Sequence, residues 1–150
     1  MGPFDELLHL PPHPVPDRAE VVRSIPKLTR QQVITLDGPG CIRHLGLVTR
    51  DTRRVMQTSR QMIIRITFDD APTPQVEAPF GDFFGVMHGE GWYPINTHLL
   101  SVMPWGGMNC FFAMPFARRA VIEFEAGLED GYIYLQVDWH RYPDQELTTP

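Results

Sequence analysis

A carboxylate beside two aromatic rings lies in a short segment that is bounded by glycines. Asp82 is followed by Phe83 and Phe84, and Gly81 and Gly85 enclose the three residues. Glycine permits positive φ and close backbone approach, so this segment can present its side chains to a ligand. The same residues also fit a structural loop, in which the rings fill the end of a β-sandwich and the carboxylate caps a turn.

A second glycine-rich segment and two tryptophans extend this candidate site. Asp82 and Glu90 form the only acidic pair in glycine-rich loops beside aromatic residues, and glycoside hydrolysis uses two facing carboxyl groups. Trp92 and Trp105 could stack on a sugar ring, although tryptophan is more often buried in a core or an interface. The predicted substrate-binding residues are Asp82, Phe83, His88, Glu90, Trp105 and Asn109.

The sequence predicts no catalytic residue of its own, no metal and no cofactor. His88 and Glu90 could coordinate an ion, but together they fall short of the usual ligand count for a metal site. The sequence contains no phosphate-binding loop, nucleophile elbow or zinc-protease motif.

Composition argues against several classes of partner. The chain has 150 residues, 43% of them hydrophobic, which suits one domain with a real core. A formal net charge of −5 argues against nucleic acid, and no apolar run reaches the ~20 residues of a membrane span. The acidic start lacks the features of a secretion signal, which favours a cytoplasmic protein or a processed mature form. Cys41 and Cys110 are predicted to be buried thiols rather than a disulfide.

Short strands separated by turn residues predict an all-β sandwich. The clearest strand is Met62–Phe68, and the last is Tyr132–Trp139, in which apolar and polar residues alternate. The residues predicted to face the core are Ile64, Ile66, Phe68, Val121, Ile133, Leu135 and Val137. Within the candidate strand 41–48, the residues predicted to share one face are Ile42, His44, Gly46 and Val48.

The ends of the chain differ from the sandwich. Residues 10–16 are too rich in proline for a helix or a central strand, which predicts extended polyproline II structure. Asp17 is predicted to cap a short helix that runs to about Ser24. The predicted parts are an N-terminal extension over 1–27, a sandwich domain over 28–142 and a loose tail over 143–150.

Several blocks of the sequence resemble a double jelly-roll family that includes glycoside hydrolases acting on difructose dianhydride and on D-arabinofuranosides. The blocks agree with the family in order and spacing over about Thr29–Trp139, and Glu77–Gly85 is the most specific of them. The matching blocks are Gly38–Leu45, Ile63–Asp69, Pro74–Gly85, Asn109–Phe116 and Tyr132–Asp138.

The resemblance implies a single antiparallel jelly-roll sandwich over 28–142, with an irregular proline-rich N-terminal arm. Family enzymes carry two jelly rolls in tandem, assemble as trimers or hexamers, and hold a furanoside pocket near subunit contacts. This chain matches only the first jelly roll, whereas the catalytic glutamates of the family lie in the second. The segment around Glu129 is superficially similar to one catalytic segment of the family. Glu129 lies on a predicted hairpin turn, however, so no catalytic role is assigned to it.

We therefore expect a stand-alone jelly-roll protein that forms a trimer or a hexamer and either binds carbohydrate or serves a structural role. The alternative is a glycoside hydrolase acting on fructofuranosides or arabinofuranosides, with its active site completed at a subunit interface. The loops that carry Asp82 and Trp105 are expected near subunit contacts. Neither nucleic acid nor a membrane is expected as a partner.

Overall fold

The computed structural model describes residues 14–49, 60–86, 94–103 and 106–142, and most of them belong to β-strands. The elements are β1 (Val15–Ile25), β2 (Arg30–Asp37), β3 (Gly40–Thr49), β4 (Ile63–Phe68), β5 (Val76–Pro79), the short helix α1 (Phe80–Phe83), β6 (Ile95–Asn96), β7 (Leu100–Val102), β8 (Met108–Cys110), β9 (Met114–Phe116), β10 (Arg119–Glu125) and β11 (Gly131–Arg141).

The strands form two antiparallel sheets that pack face to face. The larger sheet has seven strands in the order β1-β11-β3-β8-β7-β6, with β9 pairing a further part of β3. The smaller sheet has four strands in the order β2-β10-β4-β5. The predicted all-β jelly-roll sandwich is confirmed.

The core lies between the sheets and follows the period of two along each strand. In β11, Ile133, Leu135 and Val137 are fully buried, and Ile64 and Ile66 of β4 meet them from the other sheet within one hydrophobic cluster. Phe68 is partly buried and packs against the same cluster. The prediction for Val121 is wrong, because β10 turns the opposite set of side chains inward: Ala120, Ile122 and Phe124.

The prediction of a short helix after Asp17 is wrong, because the residues from Val15 to Ile25 form strand β1 at the edge of the larger sheet. β1 pairs with β11 in an unbroken antiparallel register from Val15↔Arg141 to Ile25↔Gly131. Ala19 and Val21 pack against the core. The local capping signal is overridden by this long-range pairing, which satisfies the backbone groups on one side of β1. Part of the predicted N-terminal extension therefore belongs to a sheet.

Strand β3 contains one extra residue, which changes the face on which its side chains lie. Asp138 pairs with His44, whereas the next residue of β11, Trp139, pairs with Ile42, so Arg43 is the additional residue of a β-bulge. Ile42 is fully buried, whereas His44 lies on the opposite side. The prediction that Ile42 and His44 share a face is wrong for this reason.

The glycine-bounded segment is a single helical turn, and the cysteines are thiols. Phe80 and Phe84 are fully buried at the two ends of α1, and Gly85 takes a positive φ of 82°. Cys41 and Cys110 are free and buried, as expected. Within the described parts of the chain, no helix is long and apolar enough to cross a membrane.

Candidate functional site

The outer face of the seven-stranded sheet, which points away from the smaller sheet, carries a row of polar side chains. We call Arg18, Asp138, His44 and Asn109 the polar row; they lie on the neighbouring strands β1, β11, β3 and β8. Arg18 pairs directly with Asp138, and Asp138 pairs directly with His44. Antiparallel pairing places directly opposed side chains on the same face, so the row follows from the register.

Asp138 is the most strongly bonded member of the polar row. Its Oδ1 accepts a hydrogen bond from Arg18 Nε at 2.5 Å. Its Oδ2 lies 2.8 Å from His44 Nδ1 and accepts from Gln136 Nε2 at 3.0 Å. Burial raises the pKa of the carboxyl group, but these hydrogen bonds and the charge of Arg18 outweigh burial and lower the pKa to about 2. Asp138 is therefore an ionised acceptor at neutral pH.

The ring of His44 is held at both nitrogens. Nδ1 faces Asp138, and Nε2 lies 2.9 Å from Asn109 Oδ1. Whether Nε2 donates to Oδ1 or accepts from the amide nitrogen depends on the ring tautomer and on the orientation of the Asn109 amide. Asn109 Nδ2 also donates to the carbonyl of Ser101 on β7 at 3.4 Å. Asp138 and Asn109 together therefore fix the orientation of the ring.

An aromatic ring covers one side of the polar row. The ring of Phe111 stacks on His44 with centroids 4.9 Å apart and planes inclined by 18°. Phe111 is 43% exposed, so its outer face remains open to solvent. Aromatic faces of this kind pack well against apolar surfaces of a ligand.

A shallow cavity of about 210 Å³ lies beside the polar row. Its lining includes His44, Asn109, Gln136 and Tyr134, together with Gly46. A Cβ atom on Gly46 would lie 3.1 Å from His44 Cε1 and 3.7 Å from Asn109 Oδ1, so the glycine keeps the cavity open. The volume is several times the roughly 30 Å³ that a water molecule takes in the liquid. The cavity can therefore hold part of a small polar ligand.

The residues predicted from sequence fall in different places. Asn109 is a member of the polar row. Asp82 Oδ1 accepts a hydrogen bond from Arg60 Nη1 at 3.0 Å, and Phe83 packs against the core with its ring edge-on to Phe84. No described contact joins Asp82 or Phe83 to the polar row. His88, Glu90 and Trp105 lie outside the described residues.

Sequence reasoning missed most of the polar row. Arg18, His44, Gln136 and Asp138 were not predicted as site residues. The alternation of polar and apolar residues in β11 was the available signal, because it puts Tyr134 and Gln136 on one face. Only the pairing of β11 with β3 and β1 shows which polar partners meet on that face.

Metal binding has no support among the described residues, where no group of three or more His, Cys, Asp and Glu side chains is placed to hold an ion. Asp138 forms an ion pair with Arg18 and a hydrogen bond with His44. The described groups on this face offer hydrogen bonds and an aromatic surface.

Comparison with known proteins gives one family. The model of the GH172 domain-like family matches residues 19–131, which is well over half of the chain. The matched range contains His44 and Asn109 and ends before Gln136 and Asp138. No curated protein is similar enough to be reported as a relative.

Proposed function

The chain belongs to the GH172 domain-like family, and we propose that it is a self-assembling jelly-roll protein that binds carbohydrate on the outer face of its seven-stranded sheet. The family relates the chain to glycoside hydrolases, whose substrates are sugars. The observation that carries the proposal is the cavity beside His44 and Asn109, bordered by Tyr134 and lying next to the exposed ring of Phe111.

The polar row suits a sugar because its parts are fixed before a ligand arrives. Asp138 receives bonds from Arg18, His44 and Gln136, so it orients these side chains rather than the ligand. Asn109 and Tyr134 line the cavity and can both donate to and accept from hydroxyl groups. A site whose groups are already positioned loses less entropy on binding.

The two outer faces of the sandwich differ, which supports the choice of face. On the smaller sheet, Arg65 Nε donates to Glu77 at 2.7 Å and its Nη1 donates to Glu125 at 2.5 Å. Arg30 pairs with Glu123 on the same sheet. These charged side chains satisfy one another, and the side chain of Arg65 is only 13% exposed. The outer face of the larger sheet instead combines aromatic rings with a cavity.

The proposal is tested by isothermal titration calorimetry of the whole protein with furanosides and pyranosides. We expect saturable binding of at least one sugar, weakened roughly fivefold or more by Asn109→Ala, since a lost hydrogen bond to a desolvated group costs about 1–3 kcal/mol. Asn96→Ala is the matched control, because Asn96 is exposed on β6 and does not line the cavity. Equal binding by the two variants, or no binding by the unaltered protein, would overturn the proposal.

Hydrolysis by a site that another subunit completes is the alternative. Glycosidases use two carboxyl groups, one of which donates a proton. Asp138, with a pKa of about 2, cannot be that donor at neutral pH, and no carboxylate is among the described residues that line the cavity. Release of nitrophenol from aryl arabinofuranosides or fructofuranosides, lost in Asn109→Ala, would favour this alternative over binding alone.

A further inference from the structure

A second polar cluster lies around the β-bulge, beyond the polar row. We call Arg43, His140 and Tyr142 the bulge cluster. His140 lies opposite Cys41 in the register of β11 and β3, and Arg43 is the extra residue of β3. Tyr142 is placed beside the start of β3 because its backbone N–H donates to the carbonyl of Pro39 at 2.9 Å.

Each member of the bulge cluster has a buried polar atom that makes no hydrogen bond with any described part of the chain. These atoms are Arg43 Nη1, His140 Nδ1 and Tyr142 Oη. Tyr142 is only 2% exposed, whereas Arg43 and His140 are half-buried. Among the described residues, no carboxylate forms an ion pair with Arg43. Buried polar groups are nearly always satisfied in folded proteins, so three such atoms in one place indicate a missing partner.

The electrostatics of the cluster define what that partner would be. Burial lowers the pKa of His140, and the charge of Arg43 lowers it further. Burial raises the pKa of Tyr142, which keeps the hydroxyl protonated. The cluster therefore combines one guanidinium with a neutral imidazole and a phenol, both of which can donate a hydrogen bond. This set matches an oxyanion, for which guanidinium is the preferred cation in proteins.

We propose that Arg43, His140 and Tyr142 form a binding site for a small oxyanion, that is, a phosphate or a carboxylate group. The site is separate from the cavity at His44 and does not depend on carbohydrate binding there. An inorganic phosphate and the carboxylate of an acidic sugar are two sources of the same chemistry.

The first experiment titrates inorganic phosphate into the whole protein at constant ionic strength, maintained with chloride, and follows the unfolding temperature and the heat of binding. We expect saturable binding by the unaltered protein, about tenfold or more weaker in Arg43→Gln because a charge-assisted hydrogen bond is lost. Arg23→Gln is the matched control, since Arg23 is an exposed arginine on β1, and it should bind as the unaltered protein does. Tyr142→Phe removes only the hydroxyl group and should weaken binding even if Arg43→Gln folds poorly.

The second experiment repeats the titration with glucuronate and with glucose. Binding of glucuronate but not of phosphate would assign the site to a sugar carboxylate, and the reverse would assign it to phosphate; both support an oxyanion site. Binding of glucose alone, no binding of either anion, or equal anion binding by Arg43→Gln, Tyr142→Phe and the control would overturn it. Because phosphate carries no sugar, this result is read independently of carbohydrate binding at the cavity.

Discussion

At the scale of single residues, Asp138 organises the outer face of the larger sheet. It joins β1 to β3 through Arg18 and His44, and it receives a further bond from Gln136 on its own strand. Its side chain is 31% exposed and that of Arg18 is 56% exposed, so water screens part of the attraction between them. The carboxylate nevertheless accepts three hydrogen bonds from protein groups, which fixes the neighbouring side chains.

Because of this arrangement, the stability of the protein is expected to depend on pH in the acidic range. The pKa of Asp138 is lowered from 3.8 to about 2 in the folded chain. A lowered pKa means that the ionised form stabilises the fold above the unfolded value and that this contribution is lost as pH falls from 3.8 through about 2. We expect Asp138→Asn to lower the free energy of unfolding at pH 7 by about 1–2 kcal/mol, less than the whole shift because of screening.

Urea unfolding at pH 7 and pH 2.5 measures this effect. The difference between the unaltered protein and Asp138→Asn should shrink at the lower pH, because the carboxyl group is then partly protonated. Asp37→Asn is the control, since Asp37 is an exposed residue of β2 with a similar charge. A difference that stays constant between the two pH values would contradict the role of the ionised carboxylate.

At the scale of elements, the alternation of apolar residues was enough to predict the interior of β4 and β11. The sequence could not predict β1, because Asp17 and the nearby prolines are local signals, whereas the strand is stabilised by pairing with residues more than 100 positions away. The bulge at Arg43 was hidden for the same reason, since it is visible only in the register with Asp138 and Trp139. The polar row could not be predicted for the same reason, because His44 and Asp138 are 94 residues apart in sequence.

The alternation of side chains along strand β1 leads to a prediction about two adjacent valines. Val21 packs against the core, whereas Val22 is 55% exposed on the outer face. Val21→Asp should therefore lower the free energy of unfolding by about 2 kcal/mol or more, because it buries a charge without a partner. Val22→Asp should change it by less than about 0.5 kcal/mol, as surface substitutions usually do.

Chemical denaturation at neutral pH measures the free energy of unfolding of the two valine variants and so tests this prediction. The pair provides its own control, since the substitutions are identical and the positions are neighbours. Equal destabilisation by both would be inconsistent with a strand that turns alternate side chains inward.

At the scale of the whole molecule, the exposed apolar residues concentrate around β7 and β8. Leu99 and Phe111 meet there through a backbone bond of 2.8 Å, from Phe111 N–H to the carbonyl of Leu99. Four large side chains in this region are between 43% and 55% exposed: Leu99, Met103, Phe111 and Phe112. We call them the apolar patch. Exposed apolar side chains that are concentrated in one region of a surface often mark an interaction site.

The apolar patch supports the expected assembly of several copies. Burying apolar area at a closed interface contributes roughly 25 cal/mol per Å² before the costs of association. Phe111 belongs both to this patch and to the stack on His44. A second copy that covers the patch would therefore lie beside the proposed sugar site, which is the arrangement expected for a pocket near a subunit contact.

Size-exclusion chromatography with light scattering tests this assembly. We expect the unaltered protein to run at tens of micromolar as a trimer or a hexamer of its 17.2 kDa chain. Phe112→Glu should shift the mass towards the monomer, because it places a charge that would be desolvated within the interface. Leu128→Glu is the matched control: Leu128 is 73% exposed on the turn between β10 and β11 and does not belong to the patch, so its substitution should leave the mass unchanged. A monomeric unaltered protein would contradict both the assembly and the hydrolase whose active site needs a second subunit.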